Sequence, residues 1–469
     1  MTELSTRAPA PPTAAAARKT LLIACGAAFI AFLDLSVVNI AFPSMARDYP
    51  GTPPATLTWV VSGYAVAFAA FLTPAGRLAD TLGRRRVFLS ALAGFASTSL
   101  LCALAPTAGW LIAGRILQGA TAALMVPAAL GLVLGTTPRE RIAAAFGAWS
   151  AAGGFAAVVG PAIGGALVEA FGWRSVFVIN VPIALALILP GLRLPTGAAH
   201  GSRGALPDPL GTVAVALGLG GLVAGVTEGQ RWGWDAPITL TALIGGAVLV
   251  AAALARSARH RDPAIAVTLW RSRPYALANA ASFVFGAAMF AWLLSGPLFL
   301  DAVWGYSVLG SAAALTVGAV ASMITAIAAG RVTDPVRRRL VGVLGAAMFA
   351  ASVLWMSTDA LGADPALWTV WVPCGLLGGG GAGIVVTVLG AAAADAVPPA
   401  QFAAGVGMNL TARQVGGALG VAAFAAVFAA HPAAPLTAFH TVFALCGVVA
   451  VLAAIVVAVP AGPPASGQE

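Results

Sequence analysis

The sequence predicts an all-α, polytopic membrane protein, and three observations carry that reading. Hydrophobic residues make up 60% of the 469-residue chain and charged residues 9%, with a mean hydropathy of +0.93, whereas about a quarter of the residues in soluble domains are charged. Apolar runs long enough to cross a bilayer as helices recur fourteen times along the chain. The basic residues are almost all arginine and fall in the short polar links between runs, so the formal charge of +9 bears on membrane topology and not on nucleic acid.

Residues 1–19, rich in Pro, Ala and Thr, read as a disordered cytoplasmic tail. Spans follow at about 20–43, 57–76, 87–106, 109–134, 143–168, 173–192, 209–227, 237–256, 275–300, 306–329, 340–357, 366–394, 403–429 and 437–459. The first run exceeds a signal-peptide core, so it is expected to stay as a span. With the amino terminus inside, 20 of the 25 basic residues lie on the inner side, from Arg7, Arg18 and Lys19 through Arg203 to Arg339. Arg47, Arg174 and Arg231 lie outside, and Arg115 and Arg413 lie within spans. That skew places both termini in the cytoplasm. Trp59, Trp110, Trp173, Trp232, Trp234, Trp304 and Trp368 fall at the outer ends, where amphipathic rings favour the interface. The four cysteines sit inside apolar runs without metal-ligand spacing, so neither disulfides nor a metal is expected.

A repeat divides the chain. Gly76-Arg77-x-x-Asp80 with Arg84 and Arg85 returns as Gly330-Arg331-x-x-Asp334 with Arg338 and Arg339, and Gly164-Gly165-Ala166-Leu167 returns as Gly416-Gly417-Ala418-Leu419. Both copies of the first motif face the same side, so the halves are parallel repeats. The expected division is a six-helix half over 20–193, two additional spans with their linkers over 194–262, a second six-helix half over 263–459 and a cytoplasmic tail over 460–469.

Two charges stand inside the first half. Asp34 lies about 22 Å along its helix from Lys19, where a charge costs at least ~2.5 kcal/mol and marks a proton relay, an ion path or a substrate contact. Arg115, about 9 Å from the outer boundary, and Asp34, about 14 Å from it, share a depth. A facing pair compensates what a lone charge in lipid does not. Tyr64 and Gln118 reach the same layer and can supply the remaining hydrogen bonds. Desolvation raises the carboxyl pKa of such a pair and the guanidinium lowers it, so a change in packing or water access can load and unload a proton.

In the order Leu33-Asp34-x-Ser36-Val-Val-Asn39-x-Ala41-x-Pro43, then Gly76, Asp80, Gly83, Arg84 and Arg85, then Arg115-Ile-Leu-Gln118-Gly119, then Gly160-Pro161-x-x-Gly164-Gly165, the chain resembles the fourteen-helix drug/proton antiporter branch of the major facilitator superfamily. Trp173-Arg174-x-x-Phe177-x-x-Asn180-x-Pro182 and Asn409-x-x-x-Arg413-Gln414-x-Gly416-Gly417 are similarly placed, so the likeness spans nearly the whole chain. It departs from the pattern at Ser36, at Ala156, and in the second loop motif, where Pro335 follows Asp334 and Arg337 stands for the glycine equivalent to Gly83. The resemblance implies a major facilitator fold, and a charge-paired latch of Asp80 with the arginines that stabilises an outward-open state. Proline and small residues at Gly160, Pro161, Gly164 and Gly165 bend a helix and let a neighbour approach. We expect the fifth span to pack there against the 409–420 face of the thirteenth, as part of a rocking interface.

For the substrate path the spans offer Asn39, Tyr64, Gln118, Trp149, Phe155, Met289, Trp292 and Arg413, with Phe32, Phe68, Phe285 and Phe290 beside them. An apolar, aromatic cavity with a few polar groups suits amphipathic organic compounds. Arg413, near the midplane, either holds Gln414 and backbone carbonyls or meets an anionic substrate group. There is no Gly-x-x-x-x-Gly-Lys-Ser/Thr loop and no clustered catalytic side chains, so the expectation is a transporter and no enzyme, with no cofactor and a proton gradient as its energy source. Its partners are protons, a small-molecule substrate and the bilayer, and a monomer in the cytoplasmic membrane is expected. The reading is a proton-coupled exporter of small hydrophobic or amphipathic compounds, with a narrow metabolite or siderophore exporter and a nontransporting receptor on the same fold as alternatives.

Overall fold

The computed structural model describes residues 14–194, 207–431 and 433–460; Arg7, Arg203 and the expected tail stretches 1–13 and 461–469 lie outside them. All regular structure among the described residues is helical. Fourteen apolar helices follow in order: α1 (Ala14–Asp48), α2 (Trp59–Leu82), α3 (Arg84–Ala103), α4 (Ala108–Thr136), α5 (Ile142–Phe171), α6 (Ser175–Gly191), α7 (Pro209–Trp232), α8 (Pro237–Ser257), α9 (Arg273–Ala302), α10 (Val308–Gly330), α11 (Pro335–Met356), α12 (Leu367–Asp395), α13 (Phe402–Ala430) and α14 (Pro435–Ala458). Thirteen are long and apolar enough to cross a membrane, and α6 is shorter. Residues 14–19, expected in the tail, are the first turns of α1.

Lipid is as apolar as a leucine side chain, so helices in a bilayer associate through close packing and hydrogen bonds rather than hydrophobic burial. The second half packs through aromatic rings, with Phe299 edge-on to Phe439 at 5.2 Å and to Trp304 at 5.3 Å. In the first half Phe88, Phe95 and Phe177 are buried among small residues.

Between the halves the contacts run α5 to α10 and α2 to α13. The expected pairing of α5 with α13 is therefore corrected. A parallel repeat makes α10 the counterpart of α2 and α13 the counterpart of α5, so a two-fold relation between the halves turns the α5–α10 crossing into the α13–α2 crossing. Glycines set both crossings. A carbon added at Gly76 would collide with the Ala403 carbonyl, and one added at Gly330 with the Ala143 carbonyl. Both glycines come from the repeated loop motif and both lie at the end of the bundle that carries Arg84 and Arg331, here called the basic end. The small residues at Gly160 and Gly164 serve a different contact. They face Ser36 and Val37 and seat α5 on α1 within one half, while the space beside Gly165 is open.

The two copies of the loop motif fold differently. Gly83 joins α2 to α3 with φ +98°, a backbone conformation that favours glycine. At its counterpart Arg337 the chain is already inside α11, because Pro335 starts that helix and the Asp334 side chain caps it, accepting from Arg337 N at 2.7 Å.

The extra pair packs outside this interface: α7 lies on α2 and α13, and α8 lies on α7. Arg256 ties the base of α8 to Asp208 ahead of α7, and its hydrogen bonds hold the Asp208 carboxyl below the usual range. Of the tryptophans expected at the interface, Trp110 and Trp368 are exposed, but Trp173 and Trp304 are buried. Those two staple the chain instead, Trp173 Nε1 donating to Asp48 at 2.7 Å and Trp304 Nε1 to the Gly362 carbonyl at 3.1 Å. All four cysteines are free.

Candidate functional site

Five helices of the first half converge on Asp34. The carboxylate is fully buried, and so are Arg115 and Gln118 from α4 and Asn180 from α6. Arg115 Nη1 donates to Asp34 Oδ2 at 2.5 Å and to Gln118 Oε1 at 2.7 Å, and its Nε donates to the Val60 carbonyl of α2 at 2.8 Å. Asp34 Oδ1 accepts from Gln118 Nε2 at 2.9 Å and from Asn180 Nδ2 at 2.8 Å. Behind them Ser99 of α3 accepts from Gln118 Nε2 at 2.7 Å. The guanidinium lies over the Tyr64 ring, 4.3 Å from its centre. An ion pair in a low dielectric is stable only when its remaining donors and acceptors are met, and three donors meet that condition on the carboxylate side.

The unmet groups lie on the other side of the account. Tyr64 Oη, Arg115 Nη2 and Asn180 Oδ1 have no hydrogen-bond partner. The last is an acceptor beside a carboxylate that now receives only donors. A flipped Asn180 amide can accept a hydrogen bond from a neutral Asp34 as readily as the present rotamer donates one to a charged Asp34.

Between the halves lies a cavity of about 540 Å³. Phe32, Tyr64 and Trp149 from the first half and Met289, Trp292 and Arg413 from the second are part of its wall. Asp34 and Arg115 are not. One turn of α1 presents positions 31, 32, 35 and 36 to the cavity and turns Leu33, Asp34 and Val37 inward, as a 3.6-residue period requires. Tyr64 belongs to both places, covering the guanidinium on one side and walling the cavity on the other.

Sequence-assigned path residues divide accordingly. Tyr64, Trp149, Met289, Trp292 and Arg413 stand at the cavity. Gln118 does not; it is enclosed in the Asp34 cluster. Phe155 stacks on Phe29 and is 48% exposed on the outside of the bundle, and Phe285 is sealed against Phe349. Asn39 donates to its own helix at Leu35 O and lines a second cavity of about 310 Å³, which shares Ser36, Pro161 and Pro297 with the first and continues it away from the basic end. Asn180 and Ser99 carried no assigned role; a polar Asn180 inside the short sixth run was the available signal for the first.

At the basic end the cavity is closed. Asp80, in α2, accepts from Ala403 N at 3.3 Å and Ala404 N at 2.8 Å in the first turn of α13, and from Arg84 Nε at 2.7 Å. A carboxylate at a helix N-terminus meets unsatisfied amides and the positive end of the dipole. Arg84 also donates to Gly131 O in its own half and to Pro399 O across the gap. About two turns further along both helices, the Thr73 and Thr411 hydroxyls meet at 2.8 Å between the halves. Asp80, Arg84 and Gly76 are thus one cross-half contact, with Gly83 as the turn that carries Arg84, while Arg85 donates to the Leu192 carbonyl within the first half.

A family model described as Major Facilitator Superfamily matches residues 24–421. The probable actinorhodin transporter of Streptomyces coelicolor is 34% identical over 89% of this chain and 73% of its own length. The tetracenomycin C resistance and export protein of Streptomyces glaucescens is 32% identical over 88% and 76%, and the cephamycin export protein CmcT of Amycolatopsis lactamdurans 34% over 87% and 84%. Among solved structures, the human organic anion transporter MFSD10 superposes with a TM-score of 0.68 over 94% of this chain and 99% of its own, at 14% identity, a likeness of fold.

Proposed function

This chain belongs to the major facilitator superfamily, and from that premise we propose that it is a proton-coupled exporter of small hydrophobic or amphipathic compounds, antibiotics among them. The observation that carries the reading is the Asp34–Arg115 pair sealed behind Tyr64, the one residue that also walls the aromatic cavity. The roles for which the similar Streptomyces and Amycolatopsis proteins are named, export of and resistance to antibiotics, support the substrate class.

In this reading the basic end is cytoplasmic, both termini lie inside and the protein works as a monomer in the cytoplasmic membrane. The closed basic end and the cavity continuing past Asn39 then correspond to an outward-open state, held by Asp80 and Arg84. A proton entering from outside neutralises Asp34, releases Arg115 Nη1 from the carboxylate and turns the Asn180 amide. Arg115 shifts under Tyr64, and Tyr64 passes the change to the cavity. A gradient drives the cycle, with no cofactor and no covalent step. A test is uptake of a fluorescent amphipathic dye into inverted membrane vesicles. Accumulation should require an imposed proton gradient and collapse with an uncoupler; accumulation indifferent to the gradient contradicts the proposal.

Asn180→Leu removes one donor to Asp34 and the group that would accept from its protonated form. Gradient-driven uptake should fall about tenfold, the equivalent of one charge-assisted hydrogen bond, and a fixed stoichiometry of protons to dye should loosen. Flux of both measured in the same vesicles checks this; tight coupling at wild-type rate would exclude Asn180 from the switch.

A further inference from the structure

Arg413 is a cation that the structure leaves without a counterion. It lies about 17 Å along α13 from Phe402, near the middle of a span, and it lines the central cavity. Among the described residues it has no ion-pair or hydrogen-bond partner, and the cavity wall contains no Asp or Glu. The repeat explains its direction: the offset of 252 residues between Gly164 and Gly416 places Arg413 opposite Pro161, which walls the same cavity from the other half. A guanidinium at this depth is costly without compensation, and its place on the cavity wall calls for a ligand that compensates it.

The facing wall has the same bias. Trp149 Nε1 and Tyr64 Oη are without hydrogen-bond partners, in side chains 3% and 1% exposed. An indole N–H only donates. Arg413 is therefore the charged residue of an otherwise neutral, aromatic chamber walled by Phe32, Trp149 and Trp292.

We propose that the transported compound is an organic anion on a flat aromatic frame, its acidic group paired with Arg413 and its rings held among Phe32, Trp149 and Trp292. This rests on the exporter reading and names its substrate class. Burying the acid against Arg413 removes the guanidinium's desolvation penalty and the ligand's own together, so binding discriminates between an anion and an isosteric neutral compound. Planar recognition of a carboxylate is what a guanidinium does better than an ammonium.

The test uses the full chain in lipid nanodiscs, with tryptophan-to-pyrene energy transfer reporting binding and protein-free nanodiscs as the blank. Pyrene-1-carboxylate should bind about tenfold tighter than pyrene-1-carboxamide, the worth of one charge-assisted contact, and pyrenylmethylammonium should bind weakest. Arg413→Gln should erase the preference and Arg413→Lys should keep part of it, which separates a charge effect from misfolding. A preference unchanged in Arg413→Gln, or ammonium binding best to the wild type, overturns the proposal. Gradient-driven export of neutral or cationic pyrenes without anion preference would overturn it and leave the exporter reading standing. Arg413-dependent anion binding without gradient-driven transport would do the reverse.

Discussion

Asp34→Asn should reduce gradient-driven efflux to the level seen with an uncoupler while leaving ligand binding within about threefold of wild type, because the cavity wall does not change. The substitution removes the carboxyl group that takes up the proton and leaves Arg115 facing an amide. Breaking a buried pair by removing one partner destabilises by about 3–5 kcal/mol, so the variant is also expected to unfold at lower temperature. The double variant Asp34→Asn, Arg115→Gln separates the two effects. Neutralising both sides restores much of the stability, since neither charge is left alone, but it restores no coupling. Efflux, binding and thermal stability measured on the three proteins check this. Efflux surviving in Asp34→Asn would take the proton role away from this residue; efflux returning in the double variant would show that only stability was lost.

Gly76→Leu is expected to abolish transport by a different route. The added carbons meet the Ala403 carbonyl and the Ala404 Cα, backbone atoms that no rotamer change can move aside. Overpacking of this kind costs about 1–3 kcal/mol or more, and here it falls on one conformation, the one with the basic end closed. Shifted by about 3 kcal/mol, the balance between closed and open basic ends changes about 100-fold. Membrane insertion should survive, because the clash falls on the α2–α13 crossing between the halves and not within either half. A cysteine placed at the cavity floor should become reactive from the basic side. Gly330→Leu should behave alike through Ala143 and Ala144, whereas Gly165→Leu, with open space beside it, should transport normally. Normal transport by Gly76→Leu would mean that the closed crossing plays no part in the cycle.

The spans and the Asp34–Arg115 pair were legible in the sequence because each has a local cause. Length and hydropathy give the helices, and a shared depth from two helix ends puts a carboxylate and a guanidinium in one layer. Which face of a helix meets what was far less legible. In a soluble protein the polar stripe marks the outside, but lipid and core are both apolar, so Phe155 on the outside and Phe32 in the cavity look the same in sequence. The same blindness sent α5 to the wrong partner. Gly160 and Gly164 announce a close approach without saying by which helix, and α1 lies there rather than α13. Asp334 was readable in principle, since a following proline makes a helix cap out of a would-be latch.

Infrared difference spectroscopy on the protein in lipid tests the central claim most directly, by comparing the substrate-bound state with the substrate-free state at low pH, in which a proton has neutralised Asp34. The account predicts that substrate binding removes a carboxylic-acid band and raises a carboxylate band, with both signals absent in Asp34→Asn. A spectrum in which the acid and carboxylate bands hold constant between the two states would contradict it.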